Sequence, residues 1–121
     1  MFLATTNKPK RLLHLSYIQR VRGEELKHSR EELAALLADL PAGFRMLTDL
    51  GRLESMDAAC VKEIGKIMEL CDRKGVELVV RVIPDPRKDF GMNILSLFHY
   101  RRQLRVVTCK TMEEAAKLLS L

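Results

Sequence analysis

Tryptophan is absent from this chain of 121 residues, and aromatic residues make up only 5% of it. Proteins that bind nucleic acids commonly stack bases on aromatic side chains beside a single basic face. The scarcity of aromatics therefore argues against a nucleic-acid partner, although the formal net charge is +5. The basic residues fall in three separate segments, 8–11, 20–22 and 101–105. They predict a solvated basic surface that attracts acidic partners.

Long apolar runs are also missing, and none approaches the roughly 20 residues that a bilayer-spanning helix requires. The segment Phe2-Leu3-Ala4 is too short for the apolar region of a signal peptide, and no small-residue cleavage site follows it. We therefore expect a cytoplasmic protein without membrane insertion. Hydrophobic residues make up 47% of the chain, enough for one ordinary core, and the length fits a single domain over residues 1–121.

Cysteine is scarce, with three residues in all. Cys60 and Cys71 fall in one predicted helix, where a rise of about 1.5 Å per residue separates them by roughly 16 Å. That distance exceeds the roughly 7 Å within which a disulfide can form. No cysteine or histidine spacing fits a zinc site. We expect reduced, mostly buried thiols, no metal and no cofactor.

Hydrophobic periodicity and turn residues predict nine elements in the order β-β-α-β-α-β-α-β-α. Helices between successive strands imply parallel neighbours joined by right-handed crossovers. The predicted fold class is therefore α/β, with a mixed, mostly parallel sheet and helices packed on it. The strands are predicted over 2–5, 11–18, 44–50, 76–83 and 104–109, the helices over 24–40, 57–73, 87–100 and 111–121, and a loop over 51–56.

Four segments carry a resemblance to a known family. Residues 44–50 (FRMLTDL) resemble a strand that ends in Asp-Leu, and residues 51–57 (GRLESMD) resemble the loop before a phosphorylation motif. Residues 74–80 (KGVELVV) resemble a glycine followed by a hydrophobic strand, and residues 105–115 (RVVTCKTMEEA) resemble a last strand with a Thr-x-x-Glu-Ala helix start. In this order and spacing they resemble the STAS family, the anti-sigma-factor-antagonist fold, over roughly residues 11–121.

The phosphorylation motif of that family usually reads Asp-Ser-Ser-Gly or similar, whereas this chain has Asp57, Ala58, Ala59 and Cys60. Alanine has no hydroxyl, so position 58 cannot accept a phosphate. Ser55 offers an alternative hydroxyl, although a role at the helix start is the simpler explanation for it. Asp57 could serve a docking patch, or it could only cap the helix that it begins.

The resemblance implies a non-catalytic regulatory or scaffold domain that binds a protein, such as an anti-sigma factor or a kinase-like regulator. The region that the family uses for partners corresponds here to Ser55, Met56, Asp57, Ala58, Ala59 and Lys62. An exposed edge strand over residues 2–5, or an apolar helix face, could also support a homodimer.

Catalytic patterns are missing from the sequence. Asp49 ends a strand as in response-regulator receivers, but no acidic pair that could hold magnesium follows the first strands. His14, His28 and His99 accompany no recognisable nucleophile motif, and neither phosphate-binding glycine motif is present. We therefore predict that the chain is not an enzyme.

A second hypothesis concerns Arg87 and Lys88, which follow the Pro84-Asp85-Pro86 turn after a predicted strand. Open α/β sheets bind ligands beyond the carboxyl ends of their strands. These two cations could hold a small anionic ligand, a nucleotide or a lipid head group. The simpler interpretation of the same segment is a solvated turn.

Overall fold

Five strands form one sheet whose spatial order follows the chain, β1-β2-β3-β4-β5. The computed structural model describes residues 1–102 and 104–121. β1 is antiparallel to β2, and all later neighbours are parallel, so the predicted mixed, mostly parallel sheet is confirmed. The strands are Phe2–Asn7 (β1), Leu12–Val21 (β2), Arg45–Met56 (β3), Leu78–Val82 (β4) and Arg105–Cys109 (β5).

Helices cover both faces of this sheet. One face carries α1, α2 and α3 over the larger core, and the other carries α4 over a smaller core. β4 lies between the two cores, since Val79 packs into the first while Val80 and Val82 pack into the second. A central strand covered on both sides explains its run of branched residues. The helices are Gly23–Ala38 (α1), Ala59–Lys74 (α2), Met92–His99 (α3) and Met112–Leu118 (α4).

β3 extends further than the sequence indicates, because it continues through the predicted loop 51–56 to Met56. β2 continues alongside it, pairing Ile18 with Arg52 and Arg20 with Ser55. Register shifts interrupt this pairing. These shifts break the alternation of buried and exposed residues along β3. Residues 51–56 therefore do not show the period-2 hydrophobic pattern of a strand.

The third helix is shorter than predicted and begins at Met92 rather than at position 87. A single 3₁₀ turn, Pro86–Lys88, precedes it, and Gly91 follows that turn with a φ of 76°. Glycine enters this left-handed region without the steric cost that other residues meet, so Gly91 separates the 3₁₀ turn from α3. In the part of the chain that the structure describes, no helix has the length and apolar character that a bilayer crossing demands.

Candidate functional site

The carboxyl end of β3 and the first turn of α2 form a projecting surface, which we call the α2 tip. It comprises all the residues for which the sequence predicted partner contact, and all are exposed except Met56, which is half-buried. Val61 is 53% exposed beside them, although helical spacing aligns it with the inward-facing Ile64 and Cys71. We therefore add Val61 to the α2 tip, whose members are Ser55, Met56, Asp57, Ala58, Ala59, Val61 and Lys62.

Asp57 connects the α2 tip to the beginning of α1. Its Oδ1 accepts a hydrogen bond from the Gly23 N–H at 2.9 Å, and Gly23 is the first residue of α1. The start of α2 itself has no side-chain cap. The N-cap residue of α2 is Ala58, so Asp57 lies one residue before it, and the 2.9 Å hydrogen bond of Asp57 comes from the start of α1. It satisfies one of the free N–H groups of a different helix, which local sequence spacing does not indicate.

Close packing between α1 and α2 reinforces this connection. A Cβ placed on Gly23 would lie 2.5 Å from the Ala59 Cβ and 2.6 Å from its carbonyl carbon. No side chain fits at that separation, so glycine is required at position 23 for the two helix starts to meet. The Asp57 hydrogen bond and the Gly23–Ala59 contact together fix the α2 tip relative to α1.

The thiol of Cys60 is a donor at this connection. Its Sγ lies 3.3 Å from the Val21 carbonyl oxygen and 3.4 Å from Asp57 Oδ1. Burial, with the neighbouring Asp57 carboxylate, raises the pKa of Cys60 to about 11. The thiol therefore stays protonated at neutral pH and is not a reactive nucleophile.

Hydrogen bonding stabilises the ionised form of Asp57. The Gly23 N–H holds the pKa of this carboxyl below its usual range, with smaller contributions from Cys60 and from the charge of Arg22. The α2 tip therefore presents a persistent carboxylate beside the exposed cations Arg22 and Lys62.

Ala58 has a helical backbone, with φ −61° and ψ −28°, and it is exposed. Position 58 is therefore accessible at the surface, but the alanine side chain has no hydroxyl. Ser55 is the hydroxyl-bearing residue of the α2 tip and lies in β3, opposite Arg20 of β2. The α2 tip thus combines small apolar side chains with a rim of charge, an arrangement suited to a protein contact rather than to chemistry.

Arg87 and Lys88 are both exposed in the 3₁₀ turn, where the anion hypothesis requires them to be accessible. The Arg87 guanidinium is already bound to a carboxylate, since its Nη2 lies 3.0 Å from Asp85 Oδ2 and its Nε lies 3.1 Å from Oδ1. Arg87 holds the pKa of Asp85 below its usual range. An anion at this turn would have to compete with Asp85, and its binding here stays a prediction.

The sheet order, the single antiparallel edge strand and the position of α2 define a STAS-like fold. Comparison with solved structures supports this fold. The anti-sigma factor antagonist SpoIIAA in its unphosphorylated form superposes with a TM-score of 0.67 at 13% identity, covering 99% of this chain and 98% of SpoIIAA. The phosphorylated form of the Bacillus cell fate determinant SpoIIAA gives 0.62 at 13% identity, covering 98% and 99%.

A protein of Shewanella loihica with a SpoIIAA-like fold, from the DUF3478 family, gives a TM-score of 0.72 at 12% identity, covering 98% of this chain and 92% of that protein. No family model and no curated protein matches the sequence. At these identities the comparisons establish the fold, and the function has to be argued from the site.

Proposed function

We propose that this chain is a non-catalytic regulatory or scaffold domain that binds a protein partner through the α2 tip. The proposal rests on the exposure of the α2 tip, its fixed position against α1, and the absence of a hydroxyl at position 58. The shared fold with an anti-sigma factor antagonist supports the proposal. An anti-sigma factor or a kinase-like regulator is the partner class that we favour.

The chemistry of the α2 tip indicates what the partner presents. The centre of the α2 tip is apolar and consists of Ala58, Ala59 and Val61. Because these side chains are small, the backbone or a side chain of a partner could approach them closely. Lys62 and Arg22 add positive charge at the rim of the α2 tip, and the whole chain carries +5. A partner with an apolar contact residue surrounded by carboxylates would be complementary, and its association would slow as salt increases.

Regulation would differ from that of a phosphorylated relative. A phosphate at a helix start adds nearly two negative charges and changes the surface that a partner meets. Because Ala58 cannot be modified in that way, a phosphate at position 58 would not control binding at the α2 tip, and control would come from the partner or from protein abundance.

A cytoplasmic location belongs to the same proposal. Cys60, Cys71 and Cys109 are all buried and unpaired, which suits a reducing compartment. A homodimer is a secondary proposal. β1 ends the sheet and pairs with β2 on one side, so its other edge could pair with a second copy.

The test begins with affinity capture of the partner on the immobilised chain, its identification by mass spectrometry, and reconstitution from purified proteins. Val61→Glu then places a carboxylate in the apolar centre of the α2 tip. Because the side chain is already exposed, the fold should be unaffected while the dissociation constant rises at least about tenfold.

The matched control is Ile94→Glu, which introduces the same charge at a 63% exposed apolar position on α3. It should bind the partner as the unmodified chain does. Equal dissociation constants for Val61→Glu and the unmodified chain would refute the α2 tip as the contact surface. A loss confined to Ile94→Glu would move the partner to α3.

A further inference from the structure

The helix α3 turns its largest apolar side chains toward solvent. Ile94 is 63% exposed, Leu97 is 81% exposed and Phe98 is 73% exposed, and a spacing of three and four residues places them on one helical face. The polar Ser96 lies on the opposite face and is buried. A surface helix usually has the reverse arrangement, with its apolar side against the core. We call the exposed face of Ile94, Leu97 and Phe98 the α3 ridge.

Contacts on the buried side hold α3 in this orientation. The Arg81 guanidinium of β4 donates to Ser96 Oγ and, at 3.2 Å, to Asn93 Oδ1. Ser96 Oγ in turn donates to the Met92 carbonyl at 2.9 Å, and the Met92 side chain is buried in the larger core. Turning the helix so that the α3 ridge faced the core would break these hydrogen bonds and expose Met92. The outward position of the α3 ridge is therefore part of the fold.

Basic residues lie at both ends of the α3 ridge. Residues 84–102 include four basic and two acidic residues, and Met92–His99 itself contains no acidic residue. Lys88 precedes the helix and Arg101 follows it, and both are exposed. An apolar face between two cations is complementary to a surface that is apolar inside and anionic at its boundary.

The size of the α3 ridge separates its possible occupants. A stable protein interface buries about 800 Å² on each partner, and three side chains of this size expose roughly half of that area. Two copies that met ridge to ridge would also bring the cations Lys88 and Arg101 of both copies together, which is unfavourable. A bilayer requires no minimum contact area, and its anionic lipids carry the opposite charge.

We propose that the α3 ridge docks on the surface of an anionic lipid bilayer. Its three side chains would enter the boundary between head groups and acyl chains, while Lys88 and Arg101 would lie among the anionic head groups. Because α3 has eight residues, it would lie along this boundary, and the attachment would be peripheral and reversible. The α3 ridge shares no residue with the α2 tip, so this proposal does not depend on the proposed partner function.

The test uses a fluorescent reporter on the α3 ridge. The chain has no tryptophan, so Phe98→Trp introduces a single indole at an exposed position. The probes are vesicles of phosphatidylcholine with an equal part of phosphatidylglycerol, and vesicles of phosphatidylcholine alone. We expect the anionic vesicles to shift the emission to shorter wavelength, and lipids brominated in the acyl chain to quench it. The neutral vesicles should bind at least about fivefold more weakly.

Val61→Trp is the matched reporter on the α2 tip and should show neither the shift nor the quenching. Unchanged Phe98→Trp emission up to about 5 mM anionic lipid, or equal binding to the two kinds of vesicle, would overturn the proposal. A shift that grows with protein concentration in the absence of lipid would assign the α3 ridge to a second copy. A shift caused by the captured partner but not by vesicles would assign it to a protein, and either result would also overturn the bilayer contact.

Two pairs of variants test the apolar and the charged parts of the surface separately. Leu97→Gln should weaken binding to the anionic vesicles at least about fivefold, whereas Leu118→Gln, at a 40% exposed position on α4, should bind within about twofold of the unmodified chain. Lys88→Glu should weaken binding at least about fivefold at low salt, whereas Lys27→Glu on the exposed side of α1 should bind within about twofold.

All four substitutions replace side chains that are exposed, so their melting temperatures should match that of the unmodified chain. An equal loss of vesicle binding in Leu97→Gln and Leu118→Gln, or in Lys88→Glu and Lys27→Glu, would overturn the assignment of the contact to α3.

Discussion

The α2 tip and α3 differ in the apolar side chains that they expose. At the α2 tip, Asp57 accepts from a peptide N–H and from a thiol, and its exposed neighbours Ala58 and Ala59 are small. On α3, the exposed Leu97 and Phe98 are large and apolar, and the buried Arg81 of β4 donates to Asn93 and Ser96 of the same helix. The difference teaches that the α2 tip is fixed by contacts with α1, whereas α3 leaves large apolar side chains in contact with water.

Two glycines extend the comparison to packing. Gly23 lies against the Ala59 backbone at the α2 tip, whereas Gly65 of α2 lies against the imidazole of His99 at the end of α3. A backbone cannot move aside without shifting a helix, but a side chain can change rotamer. The two regions should therefore respond differently to the same substitution.

The largest effect is expected for Gly23→Ala, because the new Cβ would lie within 2.8 Å of three Ala59 atoms, two of them backbone. The free energy of unfolding, measured by urea denaturation, should fall by about 3 kcal/mol. Gly51→Ala is the control, since its Cβ would meet only the flexible Asp49 carboxylate at 3.0 Å and the Pro84 ring at 3.7 Å. A loss no larger than that of Gly51→Ala would show that the two helix starts are not held together.

Gly65→Ala should cost less, about 1 kcal/mol, because the His99 ring, 2.6 Å from the new Cβ, can turn away. Turning would break the contact between His99 Nδ1 and Glu69 Oε2, which are 2.5 Å apart. Amide hydrogen exchange should therefore accelerate in α3 while α1 stays protected. A cost equal to that of Gly23→Ala would remove the contrast between the regions.

Acid titration tests the Asp57 connection. Because its pKa is lower in the folded chain than in the unfolded chain, the unfolded state binds more protons near and below pH 4, and stability falls as the pH decreases through the folded pKa. Asp57→Asn removes this contribution. The variant should be less stable at pH 7, and its stability should fall less steeply below about pH 4.

Glu32→Gln on the exposed face of α1 removes one carboxylate elsewhere and serves as the control for this titration. Its acid limb is the reference for the loss of one exposed carboxylate. If the Asp57→Asn curve runs parallel to the Glu32→Gln curve, the hydrogen bond to Gly23 contributes nothing to the pH dependence.

The smallest effect is expected for Phe98→Ser. At 73% exposure this side chain should contribute little to folding, and the unfolding free energy should change by no more than about 0.5 kcal/mol. A loss above about 2 kcal/mol would show that Phe98 is packed in solution.

The sequence was sufficient for the order of elements and the arrangement of the sheet. Three local signals correspond to observed features. They are the alternation in strand β2, the helical spacing of the buried Leu26, Leu33 and Leu37 in α1, and the glycine that ends α2. The location of the α2 tip followed from resemblance rather than from periodicity.

Local patterns failed where a charge is buried by a partner distant in the chain. Helical spacing places Glu63 and Asp72 on the charged face of α2, but both are only 6% exposed. Arg30 of α1 lies 3.3 Å from Glu63, and the Arg101 peptide N–H donates to Asp72 at 3.3 Å. Arg81 was hidden in the same way, inside a run of valines. Such pairings depend on the tertiary fold, which a local window does not contain.

The central claim is that the α2 tip meets the partner. Hydrogen exchange of the chain, alone and in complex with its purified partner, measures this most directly. The account predicts slower exchange over residues 55–62 in the complex, with exchange over residues 92–99 unchanged. Slower exchange confined to residues 92–99, or no change over residues 55–62, would contradict it.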